Sequence, residues 1–240
     1  MDPHKTFFDR DELIDLLLER AEHKRSARRK ILMWKITVGA AYFVKRLFDI
    51  VVSIIILLML TPLFVAVAAW IKLNSPGPLI YRQIRVGLNG RHFNFYKFRS
   101  MYQDADKRWK ELQSTQNESK DGVIFKMKKD PRVTRSGRFI RKFSIDELPQ
   151  LFNVLLGDMS LVGPRPPLPQ EVDLYTLDDR KRLNVVPGIT GLWQVSGRSD
   201  IPFKQQVELD KEYIKSQSVW KDIVIMLKTI PAVLTGKGAY

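Results

Sequence analysis

Two adjacent carboxylates, Asp146 and Glu147, stand in the stretch FSIDELPQLFNVLLGDMSLVGPRPP, Phe143 to Pro167. Arg138, Arg141 and Lys142 precede them, and Arg165 follows in Gly163-Pro164-Arg165-Pro166. A carboxylate can attack phosphorus and form an acyl phosphate. A second carboxylate can hold magnesium on phosphate oxygens. Arginine suits phosphate because its donors form a planar fork. Carboxylates among so many cations are expected to keep low pKa values. A helix cap explains the same residues: Asp146 as N-cap, Glu147 favouring the helix dipole, Pro149 in the first turn, and Gly157 as the stop. On this reading Leu148, Leu151, Phe152 and Leu155 form the buried face. Cap and catalytic pair both stand at this point.

The elements around the pair narrow the chemistry. DPRVTRSGRFIRK packs five bases into Asp130 to Lys142, interrupted by Phe139 and Ile140, which suits an ordered cationic wall. LIYRQIRVG and RHFNFYKFR flank Leu88-Asn89-Gly90, a hairpin signal. Phe93, Phe95, Lys97 and Arg99 then share one face, with Lys97 and Arg99 either phosphate contacts or solvated. VVPGITGLWQVSGRSD reads as an irregular loop without a Walker A or GxGxxG pattern. Residues 102 to 122 suggest a short helix and a mobile loop. SVWKDIVIMLKTIPAVL places Trp220, Ile223, Val224, Leu227 and Ile230 on one stripe, either core or on a bilayer.

Ile50 to Ile71, IVVSIIILLMLTPLFVAVAAWI, carries no charge over 22 residues. At about 1.5 Å per residue that just crosses a hydrocarbon core of about 30 Å. Pro62 breaks or kinks such a helix and restricts Thr61. Basic residues lie on both sides, so a straight span would export one basic flank against the positive-inside tendency. We therefore expect a re-entrant hairpin bent at Thr61-Pro62, with a kinked single span as the alternative. Residues 9 to 32 look like an amphipathic helix, with Leu13, Leu16, Leu17 and Ala21 at helical spacing. It is either a solvated or packing helix, or a membrane-surface or dimer contact.

Over 240 residues there are 40 Lys and Arg against 26 Asp and Glu, a net +14. That excess points to nucleic acid, anionic membrane or phosphorylated substrates. The absence of cysteine excludes disulfides and thiolate zinc, and His4, His23 and His92 lack ligand spacing.

Taken together, KRLFDIVVSIIILLMLTPLF, YRQIRVGLNGRHFNFYKFRSM, DPRVTRSGRFIRKFSIDELPQLFNVLLGDMSLVGPRP and PGITGLWQVSGRS resemble the bacterial sugar transferases, the monotopic phosphoglycosyl transferases that act on polyprenyl phosphate. The resemblance covers about Tyr42 to Tyr240. It implies transfer of a sugar phosphate from a UDP-sugar to undecaprenyl phosphate with release of UMP, the first membrane step of O-antigen, capsule or exopolysaccharide synthesis. It makes Asp146 the nucleophile of a covalent phosphosugar intermediate and Glu147 its partner, associated with Mg2+. Arg141 and Arg165 match phosphate-gripping positions. Lys97, Arg99 and Arg198 are further substrate-binding candidates, and Asp158 either supports the metal or ends a helix. Thr61-Pro62 matches the membrane break.

The expected architecture is α+β and mostly helical. Residues 1–41 form a basic amphipathic region, 42–75 a re-entrant membrane helix, and 76–240 a catalytic domain with a small β-hairpin. That domain faces the cytoplasm at the bacterial inner membrane. Membrane lipid is an expected partner and nucleic acid is not; a homodimer is allowed but not required. Two other readings compete: a non-catalytic, membrane-anchored basic module binding anionic lipid or nucleic acid, and a hydrolase that passes the phosphoryl group to water.

Overall fold

The computed structural model describes residues 10–105, 127 and 130–236, with side chains from residue 27 onward except that of Ser199. Most of the predicted helix-and-loop region at 102–122 lies outside the described residues, as do the side chains of Leu13, Leu16, Leu17 and Ala21. The chain divides into two compact units, Met1–Lys45 and Arg46–Tyr240.

Helix α1, Arg10–Asn74, is the one described helix long and apolar enough to cross a membrane. It stays helical through Thr61 and Pro62, and Thr61 Oγ1 donates to the Leu57 carbonyl at 2.9 Å. A hydroxyl bonding back to its own turn is a common accompaniment of helix bending. Within the second unit, residues on both sides of Pro62 are packed. Asp49 and Ser53 are buried upstream, Val67 and Ile71 downstream. Asp49 Oδ1 accepts from Leu161 N–H at 3.1 Å. Phe48, Val52 and Ile56 pack on the core of Phe95, Leu151, Val154 and Met159, whereas Val67 and Ile71 join Phe98 and Ile140. Between these contacts Leu58 and Met59 are exposed.

The antiparallel hairpin forms as the Asn-Gly turn predicts. Strand β1, Ile80–Val86, pairs with β2, His92–Phe98, in the register Tyr81↔Lys97, Gln83↔Phe95 and Arg85↔Phe93. Asn89 and Gly90 both take positive φ, 54° and 80°, as that turn requires. Helix α2, Arg135–Lys142, carries the cationic wall, and the Thr134 hydroxyl caps it by accepting from Gly137 N–H at 2.9 Å. A Cβ at Gly137 would fall 1.9 Å from the Ser100 carbonyl, so glycine alone lets α2 sit this close to the chain leaving β2.

Helix α3, Gln150–Leu156, ends at Gly157 with φ 94°, the expected left-handed stop. Its buried face is Gln150, Leu151, Asn153 and Val154; the expected Phe152 is exposed. Asn153 brings α3 to β2: its amide donates to Asn94 O at 2.6 Å and accepts from Tyr96 N–H at 3.1 Å. The supposed irregular loop after Val185 is more ordered than its glycines suggest. Strand β3, Ser160–Val162, pairs in parallel with β4, Gly188–Thr190. Helices α4 (Pro169–Asp173), α5 (Leu192–Val195), α6 (Phe203–Lys215) and α7 (Val219–Thr235) complete the fold. On α7, Ile225 is buried while Trp220, Leu227, Ile230 and Leu234 are exposed, so the apolar stripe is not core.

Candidate active site

Asp146 and Glu147 lie in a single 3₁₀ turn, Ile145–Glu147, ahead of α3. The cap position of α3 falls on Pro149, so Asp146 is not its N-cap. The preceding residue, Ser144, takes left-handed backbone angles (φ 54°, ψ 21°) that a non-glycine residue adopts only at a cost. That kink turns the chain from α2 so that Asp146 points inward; it is 6% exposed.

The two carboxylates occupy unequal environments. Glu147 Oε1 accepts from Lys97 Nζ at 2.8 Å and from Arg165 Nη1 at 3.0 Å. Asp146 Oδ2 lies 3.7 Å from Lys97 Nζ, its one ion pair among the described residues. Burial raises the Asp146 pKa; Lys97 only partly offsets this, and the neighbouring Glu147 charge adds to it. Burial would also raise Glu147, but Arg165 and Lys97 outweigh it and hold that carboxylate well below the usual range. The expectation that both would be lowered therefore fails for Asp146, because Glu147 takes the cations. Lys97 is itself lowered by burial, against the pull of Glu147 and Asp146.

Arg165 is held from behind. Gly163 N–H donates to Thr190 O at 2.9 Å and Gly188 N–H to Pro164 O at 2.9 Å. From β1, Val86 N–H donates to Pro167 O at 3.0 Å and Arg85 Nη1 to Pro166 O at 3.0 Å. Arg85 is in turn forked on Gln83 Oε1, at 3.1 Å and 2.8 Å, and its pKa is lowered to about 10 by burial and by Arg165. Sequence reading missed Arg85. The signal was available: the hairpin register puts Arg85 on the face that carries Lys97.

The structure brings Lys97, Arg141, Asp146, Glu147, Arg165 and Arg198 to one cleft of about 2060 Å³. Two candidates sit elsewhere in their contacts. Arg99 also lines the cleft, but strand β2 ends at Phe98 and its guanidinium turns to Ser75, donating to the carbonyl at 2.6 Å and to the hydroxyl at 2.9 Å. It thereby caps the carboxyl end of α1, where a cation is favourable. Asp158 follows the far end of α3, where Asn153 Nδ2 reaches its Oδ2 at 3.4 Å. No cluster of three carboxylate or imidazole ligands occurs among the described residues.

Away from the charges the cleft is apolar. Val52, Ile56 and Leu63 of α1 form one wall, and Met226, Ile230 and Val233 of α7 contribute another. A cationic floor around the Asp146-Glu147 pair, with greasy walls, can bind a phosphorylated group attached to a long apolar tail.

The chain belongs to the bacterial sugar transferase family, whose model matches residues 40–236. It is 50% identical over 196 residues to the galactosyl transferase CpsE of Streptococcus agalactiae serotype III, covering 81% of this chain and 43% of that protein. It is 49% identical over 204 residues to an undecaprenyl-phosphate galactose phosphotransferase of Salmonella typhimurium, covering 82% and 42%. The exopolysaccharide production protein ExoY of Sinorhizobium fredii is 40% identical over 198 residues, covering 82% of this chain and 88% of the relative. The chain thus spans less than half the length of the first two relatives.

Proposed function

We propose that this protein transfers a sugar 1-phosphate from a UDP-sugar to undecaprenyl phosphate, in two steps through Asp146. An Asp146 oxygen attacks the sugar-bearing phosphorus, and the bond to the bridging oxygen breaks as UMP leaves. An oxygen of the acceptor phosphate then attacks the same phosphorus and releases the Asp146 carboxylate, leaving a polyprenyl diphosphate sugar. The observation that carries this reading is the inequality of the dyad. Glu147 is paired with Lys97 and Arg165 at 2.8 Å and 3.0 Å, whereas buried Asp146 has the longer 3.7 Å contact to Lys97. A carboxylate with a raised pKa is the better nucleophile once ionised. Arg165, Arg141 and Arg198 serve the diphosphate oxygens, and the apolar walls serve the prenyl chain.

Among the described residues Asp146 and Glu147 belong to no cluster of three ligands, which fits a magnesium ion carried in on the diphosphate. Glu147 would hold the ion, which lowers the negative charge met by the attacking carboxylate. Asp158, beyond the far end of α3, has no part in this.

The same reading makes α1 a re-entrant membrane helix with both flanks in the cytoplasm at the inner membrane. Asp49 and Ile71 pack against the same unit, which is hard to reconcile with a bilayer between them. Their contacts support the bend at Thr61-Pro62.

The test is the first half-reaction. Detergent-purified protein with magnesium and a panel of UDP-sugars, without lipid, should release stoichiometric UMP and gain the mass of one sugar phosphate. No UMP and no adduct, even after undecaprenyl phosphate is added, would refute the reading.

A further inference from the structure

The family match begins at residue 40, so most of the first unit precedes it. Within that unit the described side chains, from Ala27 on, belong to helix α1. Ile31, Leu32, Met33, Trp34, Ile36 and Phe43 are each more than half exposed. Apolar surface of this extent does not stay in water without a function. On a helix these residues point in all directions, about 100° apart per residue. A partner helix or a groove covers one face only; a surrounding medium covers all of them.

Charge says which medium. There is no Asp or Glu from Lys24 to Phe48, and eight bases lie in that interval. Arg28, Arg29 and Lys30 are exposed at one end of the apolar run, and Lys45 stands at the other. Lys35, the one charge inside the run, shares a meridian with Arg28 seven residues earlier. It can therefore snorkel to the same side. The one aliphatic hydroxyl of the run, Thr37, donates to the Met33 carbonyl at 2.9 Å and asks nothing of its surroundings. Ile31 to Val44 rises only about 21 Å at about 1.5 Å per residue, short of a hydrocarbon core of about 30 Å.

We propose that residues 28–45 form a membrane anchor that immerses its apolar run in the bilayer and binds anionic lipid headgroups through Arg28, Arg29 and Lys30. Clustered bases beside an apolar helix are drawn to anionic leaflets. The inference rests on the membrane reading of α1 but concerns a separate segment.

The chain has no cysteine, so single introduced cysteines report unambiguously. Ile36→Cys and Val38→Cys lie about 160° apart around the helix, on nearly opposite faces. Each would carry a spin label in the full-length protein, in vesicles of phosphatidylcholine with or without phosphatidylglycerol, and Leu58→Cys serves as the control. In anionic vesicles both labels should lose access to an aqueous relaxation agent and gain access to a lipid-soluble one. That protection should weaken without phosphatidylglycerol, and again when Arg28, Arg29 and Lys30 are all changed to Glu. Water access at both positions would overturn the proposal, as would protection of one face only, the mark of a protein partner. Protection independent of lipid charge would overturn the headgroup assignment. A water-exposed Leu58 label would instead refute the membrane reading of α1 itself.

Discussion

Lys97 Nζ donates to Glu147 Oε1 at 2.8 Å, joining the second strand of the hairpin to the turn that bears the dyad. Its distance to Asp146 Oδ2 is 3.7 Å. With Arg165 on the same Glu147 oxygen at 3.0 Å, the cations pair more closely with one of two adjacent carboxylates than with the other.

Asp146→Asn should abolish the half-reaction without unfolding the protein. Burial penalises the ionised Asp146 carboxylate, so a neutral amide of the same shape removes that cost. Unchanged or raised thermal stability is expected together with no UMP burst and no mass adduct. A normal burst in this variant would remove Asp146 from the nucleophile's role.

Arg165→Lys keeps the charge and loses the fork. Turnover should fall by about 10²-fold or more, an effect typical of removing an oriented phosphate or oxyanion donor. Stability should change little, because lysine can still pair with Glu147. Burst amplitude and melting temperature measured on one preparation separate the two effects.

Asn153→Leu leaves Asn94 O and Tyr96 N–H without the partners they have now. At about 1–3 kcal/mol for each group when fully buried, two part-buried backbone groups put the upper bound at about 6 kcal/mol by denaturant unfolding. Activity should drop as well, because the same amide holds α3 against the strand that carries Lys97.

Chelation of divalent ions should stop UMP release, and magnesium should restore it. Calcium, which tolerates looser oxygen geometry, should restore it poorly. Undiminished release after exhaustive chelation would exclude the metal from the first step.

Arg28→Cys and Arg91→Cys should react alike with a membrane-impermeant thiol reagent, both protected in intact cells and both labelled after lysis. Opposite accessibility would mean that α1 crosses the bilayer.

The hairpin was legible because Asn89-Gly90 demands positive φ at adjacent positions, and its register carried Lys97 to the correct face. The stop of α3 at Gly157 was legible for the same reason. Strands β3 and β4 were not: each has three residues, and Gly188 carries no side-chain pattern to read. A Cβ there would meet Gly163 N at 2.0 Å, so the glycine that suggested a loop serves close backbone pairing. The dyad could be located from the sequence, but the inequality between its members could not. That depends on Lys97, 50 positions away, and on a strained Ser144, neither visible in local spacing. Arg99 shows the converse: strand alternation placed it beside Lys97, but the strand ended one residue sooner.

Arg46, at the start of the second unit, donates to the Val154 carbonyl at 2.5 Å and to the Leu155 carbonyl at 2.9 Å, closing the carboxyl end of α3. The dyad sits just ahead of the other end. Seven helical residues at about 1.5 Å each make α3 a strut of about 10 Å between this mooring and the Asp146-Glu147 pair. With the strut rigid, a shift of α1 along its own axis at Arg46 is passed on to Asp146.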